Sequence, residues 1–300
     1  MRRISIVFAL GPLVLGCGNT EHRAPAAATP HAMAQQTYPL PGASNGLLWD
    51  DRARALYVTD DSHDQLLEWT DAAGFHPVGL FPTSPAGIGL GAIVRRTDGS
   101  FIVPSFGFGK DGTIFTLAGD GKSLAYAGLD PARRRIALAI GPDGQVYESY
   151  FVVGEDKKHT GGVARVSFDG ANATETPIQT TVTLDKVVGI AATATSLFAC
   201  DQGAGQVDAI TLADGTTTSI AKPPSCDQLL LLPHGDLVTG GASGAVYRIT
   251  TAGNVTTIAS GFGQVRGLAF DTSGRRLFFV EHFKGADSHD QLHVIPFDEH

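Results

Sequence analysis

Side chains that could hold a cation or move a proton recur at the ends of short apolar runs in this sequence. They are Asn45, Asp60, Asp61, Ser105, Glu148, Asp201, Asp227, Arg266, Glu281 and His282, with His63 close by. Carboxylate and amide oxygens are ligands that hard divalent cations prefer. An unperturbed histidine titrates near neutral pH and can act as a general base. Whether these groups act together depends on the elements that carry them.

Those elements follow from a phrase that recurs six times, roughly every forty to fifty residues. Each copy contains an apolar run, a polar turn, a second run that ends in small or acidic residues, and a third run. The second runs are ALYVTDD from Ala55, SFIVPSF from Ser100, QVYESYF from Gln145, SLFACDQ from Ser196, DLVTGGA from Asp236 and RLFFVEH from Arg276. Short runs rich in Val, Ile, Leu and Phe and bounded by turn residues favour strands over helices.

Five copies continue into a fourth, weaker strand, such as FHPVGLF from Phe75. The sixth copy stops after its third run, whereas an extended segment, Thr37 to Leu40, stands unused ahead of the first copy. If this segment supplies the missing outer strand, the ring closes and an exposed strand edge is paired. The sequence therefore predicts an all-β fold over residues 37–300, a six-bladed β-propeller with four-stranded blades that an N-terminal strand closes.

Antiparallel strand order decides which residues share a face of this propeller. If the first strand of each blade starts at the top, the second strand ends there and the third strand starts there. The polar residues named above then gather around the mouth of the central channel, and we expect an acidic top-face funnel. Acidic groups that converge on a concave mouth either hold a cation or repel one another.

Two cysteines, Cys200 and Cys226, fall on the same face in neighbouring blades. In an oxidising compartment a disulfide between them is expected. The alternative is a pair of buried free thiols.

One hexapeptide, Asp-Ser-His-Asp-Gln-Leu, occurs from Asp61 and again from Asp287, at loops that should be adjacent across the ring closure. In one interpretation Asp and Ser cap the loop and Gln-Leu begins a strand. In the other, His63 and His289 stand beside the funnel as a base or a ligand. We favour the structural interpretation, because internal duplication alone produces such matches.

The composition argues against nucleic acid as a partner. The chain has 22 Lys and Arg residues against 30 Asp and Glu residues, a formal net charge of −8. Phosphate binding needs basic residues concentrated on one face, and here they are scattered. We interpret the run Arg133-Arg134-Arg135 as a solvated turn.

The N-terminus has the features of an export signal. Arg2 and Arg3 precede an apolar stretch from Ile4 to Leu15 that is too short to span a bilayer. The VLGC sequence that ends at Cys17 resembles a bacterial lipobox, which implies lipidation of that cysteine, the alternative being an ordinary cleaved signal.

These features predict a signal peptide over residues 1–16 and a lipidated Cys17 with a flexible tether over residues 17–36. We expect an exported lipoprotein of the bacterial periplasm or outer membrane that contacts the membrane through its lipid anchor only.

The first blade, NGLLWDDRARALYVTDDSHDQLLEW from Asn45, resembles the opening blade of the SMP-30/gluconolactonase-like family and also the NHL-type repeat. The likeness extends to about Phe297. It implies a propeller whose enzymes hold one divalent metal at the funnel floor through a Glu, an Asn and an Asp, and hydrolyse sugar lactones or related esters.

Carried over residue by residue, this ligand set is only partly kept. The Glu position falls on Asn45, the Asn position on Val188, which cannot coordinate, and the Asp position on Asp227. The Asn that opens the third blade on the substrate side falls near Arg135. Neighbouring strand ends could complete the set for a single divalent cation, Ca²⁺ or alternatively Zn²⁺ or Mn²⁺. The candidate ligands are then Asn45, Asp227, Asp201 and Glu281.

Two functions are consistent with the sequence. The one we favour is a lipid-anchored, monomeric binding module whose top face takes a small molecule or a protein. The other is a divalent-metal-dependent lactone or ester hydrolase, in which the metal polarises the carbonyl and activates water and His282 or His63 acts as the general base. The sequence has no C-x-x-C, no H-E-x-x-H and no strand-turn-helix context for a serine nucleophile. Fold alone does not choose between binding and catalysis.

Overall fold

The predicted six-bladed propeller is confirmed. The computed structural model describes residues 34–83, 88–108, 111–283 and 289–298, and these ranges contain six four-stranded antiparallel sheets arranged as blades of a ring. No helix among the described residues is long and apolar enough to cross a membrane. Residues 1–33, with the predicted signal peptide, Cys17 and most of the predicted tether, lie outside the described residues.

In blades one to five the strands run outward from the central channel in chain order. The innermost strands of the six blades are β2 (Leu47–Asp50), β6 (Val94–Arg95), β10 (Arg134–Ile140), β14 (Val187–Ala192), β18 (Leu229–Leu231) and β22 (Gln264–Asp271). The second strands are β3 (Ala55–Asp60), β7 (Phe101–Pro104), β11 (Val146–Val153), β15 (Ser196–Asp201), β19 (Leu237–Thr239) and β23 (Arg276–His282). The third strands are β4 (Gln65–Thr70), β8 (Ile114–Leu117), β12 (His159–Asp169), β16 (Gln206–Thr211), β20 (Ala245–Ile249) and β24 (Gln291–Pro296). The outermost strands are β5 (Gly74–Leu80), β9 (Ser123–Ala125), β13 (Asn172–Pro177), β17 (Thr217–Ala221), β21 (Val255–Ser260) and, in blade six, β1 (Gln36–Pro39).

The N-terminal strand closes the ring, as predicted, one residue earlier along the chain than expected. It pairs antiparallel with β24, and Thr37 stands opposite His293. The ring of Tyr38 packs edge-on against Trp69 of blade one, at a centroid distance of 5.1 Å. The strand therefore completes blade six and also contacts the blade on the other side of the closure.

The hydrophobic core lies between neighbouring blades. Trp69 of blade one meets Phe278 of blade six edge-on, with their ring centroids 6.0 Å apart, and both are buried. Successive residues of a strand face opposite blades: Leu56 and Val58 pack toward blade six, whereas Tyr57 packs toward blade two. Both faces of the inner strands are thus covered, which is why the second runs are continuously apolar rather than alternating.

At the top of the ring the innermost strands approach one another too closely for side chains. A Cβ on Gly91 would lie 2.0 Å from the carbonyl oxygen of Ile136, and one on Gly189 would lie 2.1 Å from that of Asp227. Bulges at Ile136 and Val188 re-aim the backbone at the same level. Glycine and bulges together therefore narrow the top of the channel and bring side chains of different blades within reach of one another.

Removal of residues 34–40 should lower the melting temperature by several degrees, because β24 would lose its outer partner and Trp69 would lose the ring of Tyr38. Differential scanning calorimetry of the full chain and the deletion variant measures this effect. Tyr38→Phe is the matched control, since it keeps the ring and should melt with the wild type. A deletion variant that also melts with the wild type would contradict the closing role of β1.

Candidate functional site

The mouth of the channel on the top face holds a cavity of about 180 Å³. It is lined by Asn45, Phe106, Arg134, Ile136, Phe151, Lys186, Val188, Gln202, Asp227, Gln264 and Arg266. These residues start first strands or end second strands, so the cavity lies where antiparallel order predicted it. We call it the funnel. Its charge differs from the prediction: three cationic side chains and one carboxylate line it. The prediction of an acidic funnel is therefore wrong.

Two carboxylates that were expected in the funnel accept hydrogen bonds from backbone N–H groups instead. Asp201 accepts hydrogen bonds from the N–H groups of Asp185 at 2.8 Å and Lys186 at 2.9 Å. Glu281 accepts one from the N–H of Gly263 at 2.6 Å. In both blades a carboxylate at the end of the second strand fixes the chain that enters the first strand. Asp201 and Glu281 are 1% and 7% exposed and are not among the residues that line the funnel, so the geometry does not offer them as metal ligands.

The two candidate histidines are each oriented by a carboxylate outside the funnel. His63 Nδ1 lies 2.8 Å from Asp60 Oδ2, and His282 Nδ1 lies 2.9 Å from Asp290 Oδ1. The side chain of His63 is 56% exposed, and neither ring lines the funnel. His289 is also exposed, and the second copy of the hexapeptide lies partly outside the described residues. The structure therefore brings neither candidate base to the cavity.

Asn45 and Asp227 do reach the funnel, where they stand beside Arg266. Arg266 Nη1 donates to Asn45 Oδ1 at 2.9 Å, and Asn45 Nδ2 donates to Asp61 Oδ2 at 2.5 Å. Asp227 Oδ2 accepts from Gln264 Nε2 at 3.4 Å. Both polar atoms of the Asn45 amide are therefore engaged within the protein, and a guanidinium lies next to the expected ligand.

Burial raises the pKa values of the two carboxylates near this guanidinium. Desolvation raises the pKa of Asp61 to about 7, against the lowering effects of the Leu90 N–H and of Arg266. Desolvation also raises the pKa of Asp227, and the charges of Arg266 and Lys186 lower it in part. Since a guanidinium stays charged at any physiological pH, this cluster contains a permanent cation of its own.

A divalent metal does not fit these residues. Val188 offers no donor atom, Asn45 already bonds Arg266 and Asp61, and the positive charge of Arg266 opposes a second cation. Among the described residues no group of three or more His, Cys, Asp or Glu side chains is arranged to hold a metal.

The run Arg133-Arg134-Arg135 is not a solvated turn, which corrects the sequence-based interpretation. Arg135 is fully buried and pairs with Glu175 at 2.5 Å and with Glu148 at 3.3 Å. Arg133 pairs with Glu148 at 3.1 Å. Only Arg134 reaches the funnel, because successive side chains on a strand point to opposite faces. The position expected to face a substrate is therefore taken by Arg134 and not by Arg135.

Sequence analysis missed several lining residues, namely Phe106, Arg134, Phe151, Lys186, Gln202 and Gln264. Each lies near the start of a first strand or the end of a second strand. The positional rule could have found them if it had been applied to side chains of every type rather than to acidic ones.

Ser44 stands at the centre of a Gly-x-Ser-x-Gly spacing, from Gly42 to Gly46, which in other folds can mark a nucleophile. Its Oγ is buried and has no hydrogen-bond partner, and the residue is 1% exposed. The segment leads directly into β2 and not into a strand-to-helix turn. Ser44 is therefore not presented as a nucleophile.

Cys200 and Cys226 form a disulfide, with their Cα atoms 5.9 Å apart. Cys200 ends the second strand of blade four, and Cys226 precedes Asp227 at the entry to blade five. The side-chain amide of Gln202 donates to the carbonyl oxygen of Cys226 at 3.4 Å. The disulfide thus links two neighbouring blades next to Asp227, the carboxylate that lines the funnel.

Comparison with known proteins identifies relatives by fold only. No family model and no curated protein sequence matches this chain. Among solved structures, a gluconolactonase from Xanthomonas campestris superposes with a TM-score of 0.67 at 17% identity, over 86% of this chain and 88% of that one. The calcium-binding protein regucalcin from Agrobacterium tumefaciens gives 0.63 at 14% identity, over 87% and 93%. Virginiamycin B lyase from Staphylococcus aureus gives 0.59 at 14% identity, over 87% and 98%. The chain therefore shares its propeller fold with proteins of several activities.

Replacement of both cysteines by alanine should destabilise the protein, because the bond closes a loop with a sequence separation of 26 and the chain-entropy model gives about 3.5 kcal/mol for such a loop. In a domain of this size that corresponds to a fall in melting temperature of roughly 6 °C. Calorimetry of wild type and double variant measures the fall, and thiol counting on unreduced, denatured protein is the control. Two free thiols at these positions, with no effect of reductant on the melt, would contradict it.

Proposed function

We propose that this protein is a metal-free binding module of the SMP-30/gluconolactonase-like type, with the funnel as its ligand site. One observation carries the proposal: the Arg266 guanidinium bonds to Asn45 and lies close enough to Asp61 and Asp227 to offset part of the rise that desolvation causes in their pKa values. A fixed positive charge thus stands where the family resemblance calls for a divalent cation. Coulomb repulsion from a guanidinium disfavours a second cation at the same place.

The rest of the lining suits binding. The amide oxygens of Gln202 and Gln264 accept hydrogen bonds from Lys186 and Arg266, which holds these cations at the wall of the funnel. Ile136, Phe106 and Phe151 supply apolar wall. The volume of about 180 Å³ is below the roughly 300–1,000 Å³ of sites for drug-sized ligands. The funnel therefore suits a small molecule or one side chain of a partner protein.

A second candidate is the divalent-metal-dependent hydrolase of lactones or esters. Asp227 favours it, since this residue lines the funnel at the position that the resemblance assigns to a metal ligand, and the fold is shared with a gluconolactonase. Against it stand Val188 and Arg266, and no histidine lines the funnel.

Export as a lipoprotein is part of the same proposal. The VLGC sequence before residue 18 supports it, and so does the disulfide, since structural disulfides belong to oxidising compartments.

Cys17→Ser should move the protein from the membrane fraction to the soluble fraction of the cells that produce it, as measured by fractionation and immunoblotting. Thr20→Ala, in the predicted tether, is the control that should stay with the membranes. Wild type and Cys17→Ser in the same fraction would argue against a lipid anchor.

The metal question is decided by melting curves of metal-stripped protein with and without Ca²⁺, Mn²⁺ and Zn²⁺. A ligand at a hundred times its Kd adds about 2.7 kcal/mol, which moves the melt of such a domain by several degrees. We expect no shift in the wild type. The triple variant Asn45→Glu, Val188→Asn, Arg266→Ala rebuilds a Glu, Asn and Asp set with Asp227, and we expect it to gain a cation-dependent shift.

The opposite pattern would support the hydrolase. If the wild type melts higher with a cation, loses that shift in Asp227→Ala, and turns over a lactone or an ester only when the metal is present, the metal-free proposal is wrong. The triple variant shows in the same experiment that the assay can detect a metal at this site.

A further inference from the structure

We propose that the ligand of the funnel is a small flat carboxylate, held by Arg134 and Lys186 with its apolar body against Phe106 and Phe151. The inference rests on the proposed function, because it needs a funnel that works without a metal. It goes further by naming the class of molecule that binds.

Arg134 is a cation without a counter-charge. Its two neighbours in sequence, Arg133 and Arg135, are matched by Glu148 and Glu175. Arg134 forms no ion pair with any of the described residues, and its Nε is buried with no hydrogen-bond partner. A buried polar atom without a partner costs free energy, and a charge-assisted hydrogen bond donated by this N–H to a bound anion would remove that cost.

Aromatic rings surround this guanidinium. The Arg134 Cζ lies 5.3 Å from the ring centroid of Phe106, 5.6 Å from that of Phe108 and 5.8 Å from that of Phe151. Such contacts hold the side chain in place while leaving its N–H groups unused. Phe106 and Phe151 also line the cavity, so a molecule that pairs with the guanidinium must lie against at least one of them.

Lys186 supplies a second charge beside one of these rings. Its Nζ lies 5.5 Å from the ring centroid of Phe151 and donates to Gln202 Oε1 at 2.8 Å. Among the described residues no carboxylate forms an ion pair with it. The third cation of the funnel, Arg266, stands near Asp227 and Asp61. Lys186 and Arg266 both act on Asp227, the one carboxylate of the lining. The positive charge that no carboxylate offsets is therefore centred on Arg134, and Lys186 adds to it because it shares a single carboxylate with Arg266.

These features select the ligand class. The fork of a guanidinium matches the two oxygens of a carboxylate, and a single carboxylate suits a site where Asp227 already supplies one acidic group. Flat apolar walls favour a flat apolar body, since stacked rings and apolar contact add to the affinity. The volume of about 180 Å³ limits that body to about one ring.

The test is isothermal titration calorimetry of the full-length protein with benzoate, acetate, inorganic phosphate and benzyl alcohol as probes. Benzoate should bind at least tenfold more tightly than acetate or phosphate, and benzyl alcohol should not bind measurably. Arg134→Gln should weaken benzoate at least tenfold, and Arg134→Lys, which keeps the charge but not the fork, should weaken it less. Arg52→Gln, at an exposed turn of blade one, is the matched control and should bind like the wild type.

Phe106→Leu separates the two halves of the site. It should weaken benzoate severalfold and leave acetate unchanged, since only the apolar body loses its contact. Each variant is used only if it melts cooperatively, and Arg134→Lys keeps the test decisive if Arg134→Gln fails to fold.

Several outcomes would overturn the assignment. Benzyl alcohol binding as well as benzoate, or tighter binding of phosphate than of benzoate, would exclude the carboxylate class, yet would leave the metal-free module intact. No heat from any probe at about 10 mM would also exclude it, and the cation melting curves would still decide the proposed function independently. Benzoate that binds only when a divalent cation is present would overturn both proposals.

Discussion

The close approach of the innermost strands at the top of the ring is the constraint on which the site depends. At Gly91 and Gly189 the backbone of the neighbouring blade occupies the space that a Cβ would need. A wider ring would accept side chains at these positions, but it would move the strand starts apart. Because the ring is narrow, groups from all six blades meet around a cavity of about 180 Å³, and a single guanidinium in blade six can bond to an amide in blade one. The chemistry of the funnel follows from this spacing as much as from its residues.

The carboxylates at the ends of second strands do not make the funnel acidic, because they bind backbone N–H groups at the starts of first strands. Where a first strand begins, its N–H groups have no partner in the ladder, and a buried N–H without a partner is costly. Asp201 and Glu281 supply acceptors for these groups from within their own blades. Once they are engaged, the net charge of the cavity is set by the residues that remain, and those are mainly cationic.

The sequence predicted the fold because blade architecture depends on properties that a sequence displays directly: runs of apolar residues, turns between them, and a leftover strand at one end. The prediction of a funnel at the starts of first strands also succeeded, since it follows from antiparallel order alone. The charge of that funnel could not be predicted, because the identity of a residue at a strand end does not tell whether it faces the channel or the backbone beside it.

Arg134 shows the difficulty best. A bulge at Ile136 shifts the register within β10, and a shift of one residue exchanges the faces of all side chains on one side of it. The sequence alone does not distinguish the three adjacent arginines, although two of them are buried in ion pairs and one reaches the cavity.

Retention of Asp227 was the main sequence argument for a metal, and the structure gives that residue a different reason to be acidic. Desolvation raises the pKa of Asp227, and the charges of Arg266 and Lys186 oppose that rise, so its carboxylate is the counter-charge of a cationic cavity. A neutral residue at this position would leave three cations facing one another in a confined space, which is costly where the effective dielectric constant is low. The cations of the funnel thus account for an aspartate at this position without a metal. Asn45 also fits a site without a metal, since its amide accepts from the guanidinium and donates to Asp61. Val188 also fits a site without a metal, because its side chain has no atom that could coordinate one. The residues present at these three positions therefore suit a site whose positive charge comes from side chains.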